Sequence, residues 1–160
     1  MERIFKTLGQ HKTIDLISYI KDYVKEYPDT QILIGTDSQN HKRQTVYAIV
    51  VALYKPGKGA HAIYSRFSEN RLYMSKTGDV ETQRLLSEVW YSIETAEKIK
   101  NELGIQTKYI DIDINPDIRY KSNTVLAQAI GLCSGMNYEV RWKKGEKNAM
   151  ITYAADHLVK

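Results

Sequence analysis

Three consecutive strand-like runs, Gln31 to Asp37, Gln44 to Tyr54 and Ala60 to Phe67, constrain the fold of this chain more than any other feature. The breaks between them, Asn40-His41-Lys42-Arg43 and Pro56-Gly57-Lys58-Gly59, are short and turn-forming. Neither is long enough for the crossover that parallel neighbours need, so the runs predict an antiparallel meander. Within the first run, Ile32-Leu33-Ile34 gives way abruptly to Gly35-Thr36-Asp37-Ser38-Gln39. An apolar run that breaks into glycine and small polar residues predicts a buried central strand ending at Asp37, with its carboxylate aimed out of the sheet. The plainer reading of Asp37 is a residue that only shapes a turn.

The elements around the meander follow from periodicity. Ile14, Ile17, Ile20 and Val24 recur at helical spacing, which predicts an N-terminal helix over about 13–27, with Thr13 as its cap and Pro28 past its end. After Asp79 a long helical stripe runs through Leu85, Leu86, Val89, Ile93, Ala96 and Ile99 and stops at Gly104. A fourth strand, Thr107 to Ile114, alternates Ile110, Ile112 and Ile114 on one face with Asp111 and Asp113 on the other. A helix over about Ser122 to Ser134 with Gly135 as its stop, a fifth strand from Tyr138 to Trp142, and a last helix capped by Asn148 complete the chain. A meander feeding two βα crossovers predicts an α/β fold with a mixed five-stranded sheet and helices on both faces. Right-handed crossovers place the fourth strand beside the first, where Asp37 and Asp113 meet. With 160 residues and no repeat or linker, residues 1–160 read as a single domain.

Composition excludes more than it selects. Apolar and charged residues make up 42% and 26% of the chain, ordinary for a globular domain rather than a disordered one. The net charge of +4 permits a polyanionic partner without demanding one. A single cysteine, Cys133, rules out an internal disulfide and a multi-cysteine zinc site, and its place in an apolar helical pattern marks it as core. No stretch approaches the ~18 apolar residues of a membrane span, so the expectation is a cytoplasmic protein with no membrane partner.

The element order, with acids on the first strand, the fourth strand and the final helix, resembles the ribonuclease H-like fold. Ile34-Gly35-Thr36-Asp37-Ser38-Gln39, Asp113-Ile114-Asn115-Pro116 followed by Lys121-Ser122-Asn123, and Ala155-Asp156-His157 are similar to the YkuK-type family of uncharacterised bacterial proteins. The resemblance covers nearly the whole chain and implies a carboxylate cluster. Asp37, Asp113 and Asp156 match by position the strand-one, strand-four and C-terminal acids of ribonuclease H-like nucleases. A helix glutamate completes that set, and Glu81 and Glu88 both lie on one side of the long helix. Glu88 is preferred, because Glu81 also suits the positive end of the helix. The loop before the last helix carries no histidine, a departure from ribonuclease H.

Converging carboxylates repel and raise one another's pKa unless cations neutralise them. Oxygen-only ligation selects Mg²⁺ or Mn²⁺ over zinc, and a pair of such ions supports phosphodiester hydrolysis. The resemblance thus implies a metal-dependent nuclease acting on RNA or DNA, with Asp37 bridging the ions, Asp113 and Glu88 as ligands, and Asp156 as a ligand or water-positioning group. Lys42, Arg43, Arg141, Lys143 and Lys144 are the candidate nucleic-acid contacts, with Trp142 among them as a possible stacking face. The alternative is a non-catalytic nucleic-acid- or protein-binding module of the same fold.

Overall fold

A computed structural model of the chain describes residues 2–73, 79–113, 122–142 and 151–160. Its centre is the expected meander: Gln31–His41 (β3), Gln44–Lys55 (β4) and Gly59–Asn70 (β5), each antiparallel to the next. Tyr109–Ile112 (β6) runs parallel to β3, in the register Leu33 to Tyr109, Ile34 to Ile110 and Gly35 to Asp111. Val140–Trp142 (β7) extends the sheet beyond β6, again parallel.

Among the described residues the sheet has seven strands, not five. Phe5–Thr7 (β1) and Thr13–Ile14 (β2) form a small antiparallel hairpin on the free edge of β5, giving the order β2-β1-β5-β4-β3-β6-β7. Segments this short carry no readable period; burial of Phe5 is what fixes them. Because Thr13 and Ile14 pair with this hairpin, the first helix, Leu16–Glu26 (α1), starts later than the expected residue 13. Its cap is Asp15, whose carboxylate accepts the Ser18 amide at 3.0 Å.

Helices cover both faces, as expected. Val80–Leu103 (α2) begins at the Asp79 cap and ends at Gly104, whose φ of 69° is the left-handed conformation that glycine adopts without strain. It packs with α1 and Ser122–Gly135 (α3) against one face, burying Ile34, Val51, Ile110, Ile93, Ile99 and Ala129. Each isoleucine or valine among them contributes roughly 1.5–3 kcal/mol when fully buried. Ile151–Val159 (α4) covers the other face through Ala155 and Val159, against Val46, Ala48 and Val50. The expected Asn148 cap lies outside the described residues. No helix among the described residues is long and apolar enough to cross a membrane.

Candidate active site

Asp37 does not end its strand. The ladder with β4 continues through Asp37 to Ala48, Ser38 to Tyr47 and on to His41. The small polar residues that read as a strand end are held extended by a full-length partner. On the other side, pairing with β6 stops at Gly35 and Asp111 among the described residues. Asp37 therefore sits two residues beyond the last described pair with β6, in a stretch of β3 whose partner among the described residues is β4.

Strand alternation sends neighbours of Asp37 to opposite faces. Thr36 and Ser38 face α2, where they meet Ser92 and Glu88, one helical turn apart. The Thr36 and Ser92 hydroxyls lie 2.8 Å apart, and the Ser38 hydroxyl donates a short hydrogen bond to Glu88 Oε1. This contact separates the two candidate glutamates. Glu88 is buried, with a side chain 5% exposed, whereas Glu81 is 57% exposed and engaged by Arg84. Arg84 reaches from Glu81 to Ser38, donating to its carbonyl at 3.0 Å and its hydroxyl at 2.7 Å, and stands 3.6 Å from Glu88.

On the opposite face Gly35 lets α4 come close. A Cβ there would lie 3.2 Å from the Ile151 side chain and 3.3 Å from the Thr152 amide. Gly35→Ala is accordingly expected to push the start of α4 off the sheet at a cost of about 1–3 kcal/mol, read as a lower urea midpoint. An unchanged midpoint would show that α4 is not held that closely. Beyond this contact Ala155 packs on the sheet and Asp156 emerges at its rim, 2.7 Å from Lys160.

Asp37, Glu88, Asp113 and Asp156 thus come from four segments and both faces, and all line one cleft of about 460 Å³, together with Arg84 and Lys160. A larger cleft of about 790 Å³ lies against the N-terminal hairpin and α2, but its charged residues are the mixed surface set Glu2, Arg3, Asp15, Glu94 and Lys98. The electrostatics single out the smaller cleft. Burial, with the charges of Asp113 and Asp156 and a hydrogen bond to Asp156, pushes Asp37 up to about 6, while the Ser38 amide pulls against the shift. Burial and then the charge of Asp37 drive Glu88 well above the usual carboxylate range, with Ser38 and Arg84 opposing. Asp156 is held low, chiefly by Lys160. Among the described residues no three His, Cys, Asp or Glu side chains are gathered closely enough to hold an ion as they stand.

Of the predicted nucleic-acid contacts, the three that are described, Lys42, Arg43 and Arg141, do not line this cleft. Arg141 is committed elsewhere: its Nε and Nη2 donate to the two oxygens of buried Asp111 at 2.6 and 2.7 Å, and its guanidinium lies over the Tyr109 ring. Asp111 also accepts the Ile151 amide at 3.0 Å, so it ties β6 to β7 and to the first turn of α4. Trp142 packs against the core rather than offering a face. Lys42 and Arg43 are exposed at the β3–β4 turn, five residues past Asp37 and so ~16 Å along the strand. Lys143 and Lys144 lie outside the described residues. Sequence reasoning missed Arg84, although its spacing of three from Glu81 and four from Glu88 is the helical signal for such a bridge.

A family model described as ribonuclease H-like matches residues 15–159, from the cap of α1 to the end of α4. The chain belongs to the ribonuclease H-like family. Membership accounts for the central meander, the parallel β6 and β7 and the α/β layering; the β1–β2 hairpin lies outside the matched span. No curated protein matches the chain. For this ribonuclease H-like protein the family points toward nucleic-acid chemistry, and the cleft at Asp37 is where the acids gather.

Proposed function

We propose that this protein is a divalent-metal-dependent nuclease that hydrolyses phosphodiester bonds in RNA or DNA, with Asp37, Glu88, Asp113 and Asp156 as its catalytic and metal-holding residues. The observation that carries the reading is the convergence of Asp37, Glu88, Asp113 and Asp156 on one cleft, where burial and the charges of Asp113 and Asp156 raise the Asp37 carboxyl. Its ionisable neighbours Asp113 and Asp156 offer carboxylate oxygens, while Arg84 and Lys160 stand in the same cleft, engaged by Glu81 and Ser38 and by Asp156. The carboxylate donor set fits Mg²⁺ or Mn²⁺. When bound, such ions supply an activated water and neutralise charge on the leaving oxygen. The chain's own residues prepare the place. Ser38 and Arg84 fix Glu88, while Gly35 and Asp111 bring in α4 and with it Asp156.

Lys42 and Arg43 at the β3–β4 turn, with Lys143 and Lys144, are the proposed backbone contacts; Arg141 serves Asp111 instead. Placement within the narrower YkuK-type group and a cytoplasmic location belong to the same proposal. A non-catalytic binding module is the second reading, favoured by Arg84 and Lys160 already standing beside Glu88 and Asp156.

The test is cleavage of RNA, RNA in a hybrid and single-stranded DNA at low salt with Mn²⁺ or Mg²⁺, using identically purified wild type, Asp37→Asn and Asp113→Asn. Slow, metal-dependent cleavage by wild type is expected, with a loss of about 10²-fold or more in either variant. Equal rates in all three proteins, or no cleavage by any, would leave the binding module.

A further inference from the structure

We propose that His41 and Arg66 are positioning residues that clamp the C-terminal end of α4 and thereby hold Asp156 against Asp37. The catalytic consequence rests on the nuclease reading above; the clamp rests on geometry alone. α4 spans nine residues, too few to persist in isolation, and like any helix it leaves its last four carbonyls without intrahelical donors. Two side chains from the sheet supply donors to two of them. His41 Nε2 lies 2.7 Å from the Val159 carbonyl, and Arg66 Nε donates to the Leu158 carbonyl at 2.8 Å.

The placement follows from strand geometry. His41 ends β3 and shares the parity of Asp37, so both face α4. Arg66 lies on β5 in the cross-strand row that runs from Asp37 through Ala48 to Arg66. The clamp thus draws on the same row of the sheet that carries the central acid. A carbonyl only accepts, so His41 Nε2 bears the proton, and neutral and protonated rings both donate from that atom. A guanidinium at this end also complements the helix dipole.

The other end of α4 is fixed independently, by Asp111 on the Ile151 amide and by the close approach at Gly35. Asp156 lies between the two anchors, two and three residues before the clamped carbonyls. Neither clamp residue lines the cleft, and His41 is four residues, ~13 Å, beyond Asp37 along β3. Any effect on the site is therefore indirect, and exchange in β3 and β4 separates a route through α4 from one through the sheet.

Hydrogen exchange on the full chain, with Mn²⁺ titration by calorimetry, tests this in wild type, His41→Ala, His41→Gln, Arg66→Ala and the double alanine variant. Each alanine is expected to speed exchange of the amides from Asp156 to Val159 by about fivefold, and the double variant by about tenfold or more, with β3 and β4 unchanged. His41→Gln keeps an Nε–H donor and should exchange like wild type. Mn²⁺ affinity should fall about fivefold in the alanine variants and recover in His41→Gln. Unchanged α4 exchange in the double variant, acceleration spread equally through β3 and β4, or a His41→Gln variant as fast as His41→Ala would overturn the clamp. If wild type takes up no Mn²⁺ while the exchange pattern holds, the clamp stands and the metal reading falls.

Discussion

Asp37→Asn is expected to unfold at higher urea concentration than wild type at pH 7.5 without divalent ions, and to lose that advantage near pH 4. The folded protein holds the Asp37 proton up to about 6, against an ordinary value of 3.8. A raised folded pKa means that its contribution is fully present below 3.8 and is lost as pH rises through about 6. Above that window the charged carboxylate opposes folding. In a largely buried group, a rise of this size corresponds to about 1–3 kcal/mol at neutral pH. Asparagine removes the charge while keeping a donor for Asp156. A variant less stable than wild type at pH 7.5, or a difference independent of pH, would show that Asp37 is not under this strain.

Asp111→Ala is expected to destabilise the protein by about 3–5 kcal/mol, the cost of stranding one partner of a buried ion pair. The Arg141 side chain is only 14% exposed and Asp111 is fully covered, so the remaining guanidinium would lose this counter-ion with little water to replace it. The Ile151 amide would lose its acceptor as well. Replacing both residues with apolar ones of similar size, as in Asp111→Leu with Arg141→Met, should recover most of the loss, because neither charge then remains buried. Urea denaturation of the single and double variants reads both effects. A single-variant loss below about 1 kcal/mol, the range of an exposed pair, would contradict the buried bridge.

The meander, α2 and the pairing of β6 with β3 were legible because each depends on long periodic segments and on the handedness of crossovers. The meeting of Asp37 with Asp113 followed from that topology. The β1–β2 hairpin was not legible, since segments of three and two residues carry no period. Nor was the continuation of β3 beyond Asp37 through Ser38 to His41, where an eleven-residue ladder with β4 overrides the weak strand propensity of small polar residues. Alternation placed Asp111 and Asp113 on one face but could not distinguish them. Asp111 is buried against Arg141, and Asp113 stands exposed at the cleft. That difference is set by β7 and α4, which are distant in sequence. Arg141 was misplaced for the same reason, because a basic residue beside a lysine-rich loop looks solvent-facing until its partner is known.

The central claim is that the acids around Asp37 await a divalent cation, and calorimetric titration of Mn²⁺ into metal-free protein at pH 7.5 tests it most directly. A saturable isotherm is predicted for wild type, greatly weakened in Asp37→Asn, with a matching gain in stability of about 2.7 kcal/mol at a hundredfold excess of Mn²⁺ over its Kd. A flat isotherm for wild type, or identical binding by Asp37→Asn, would contradict it.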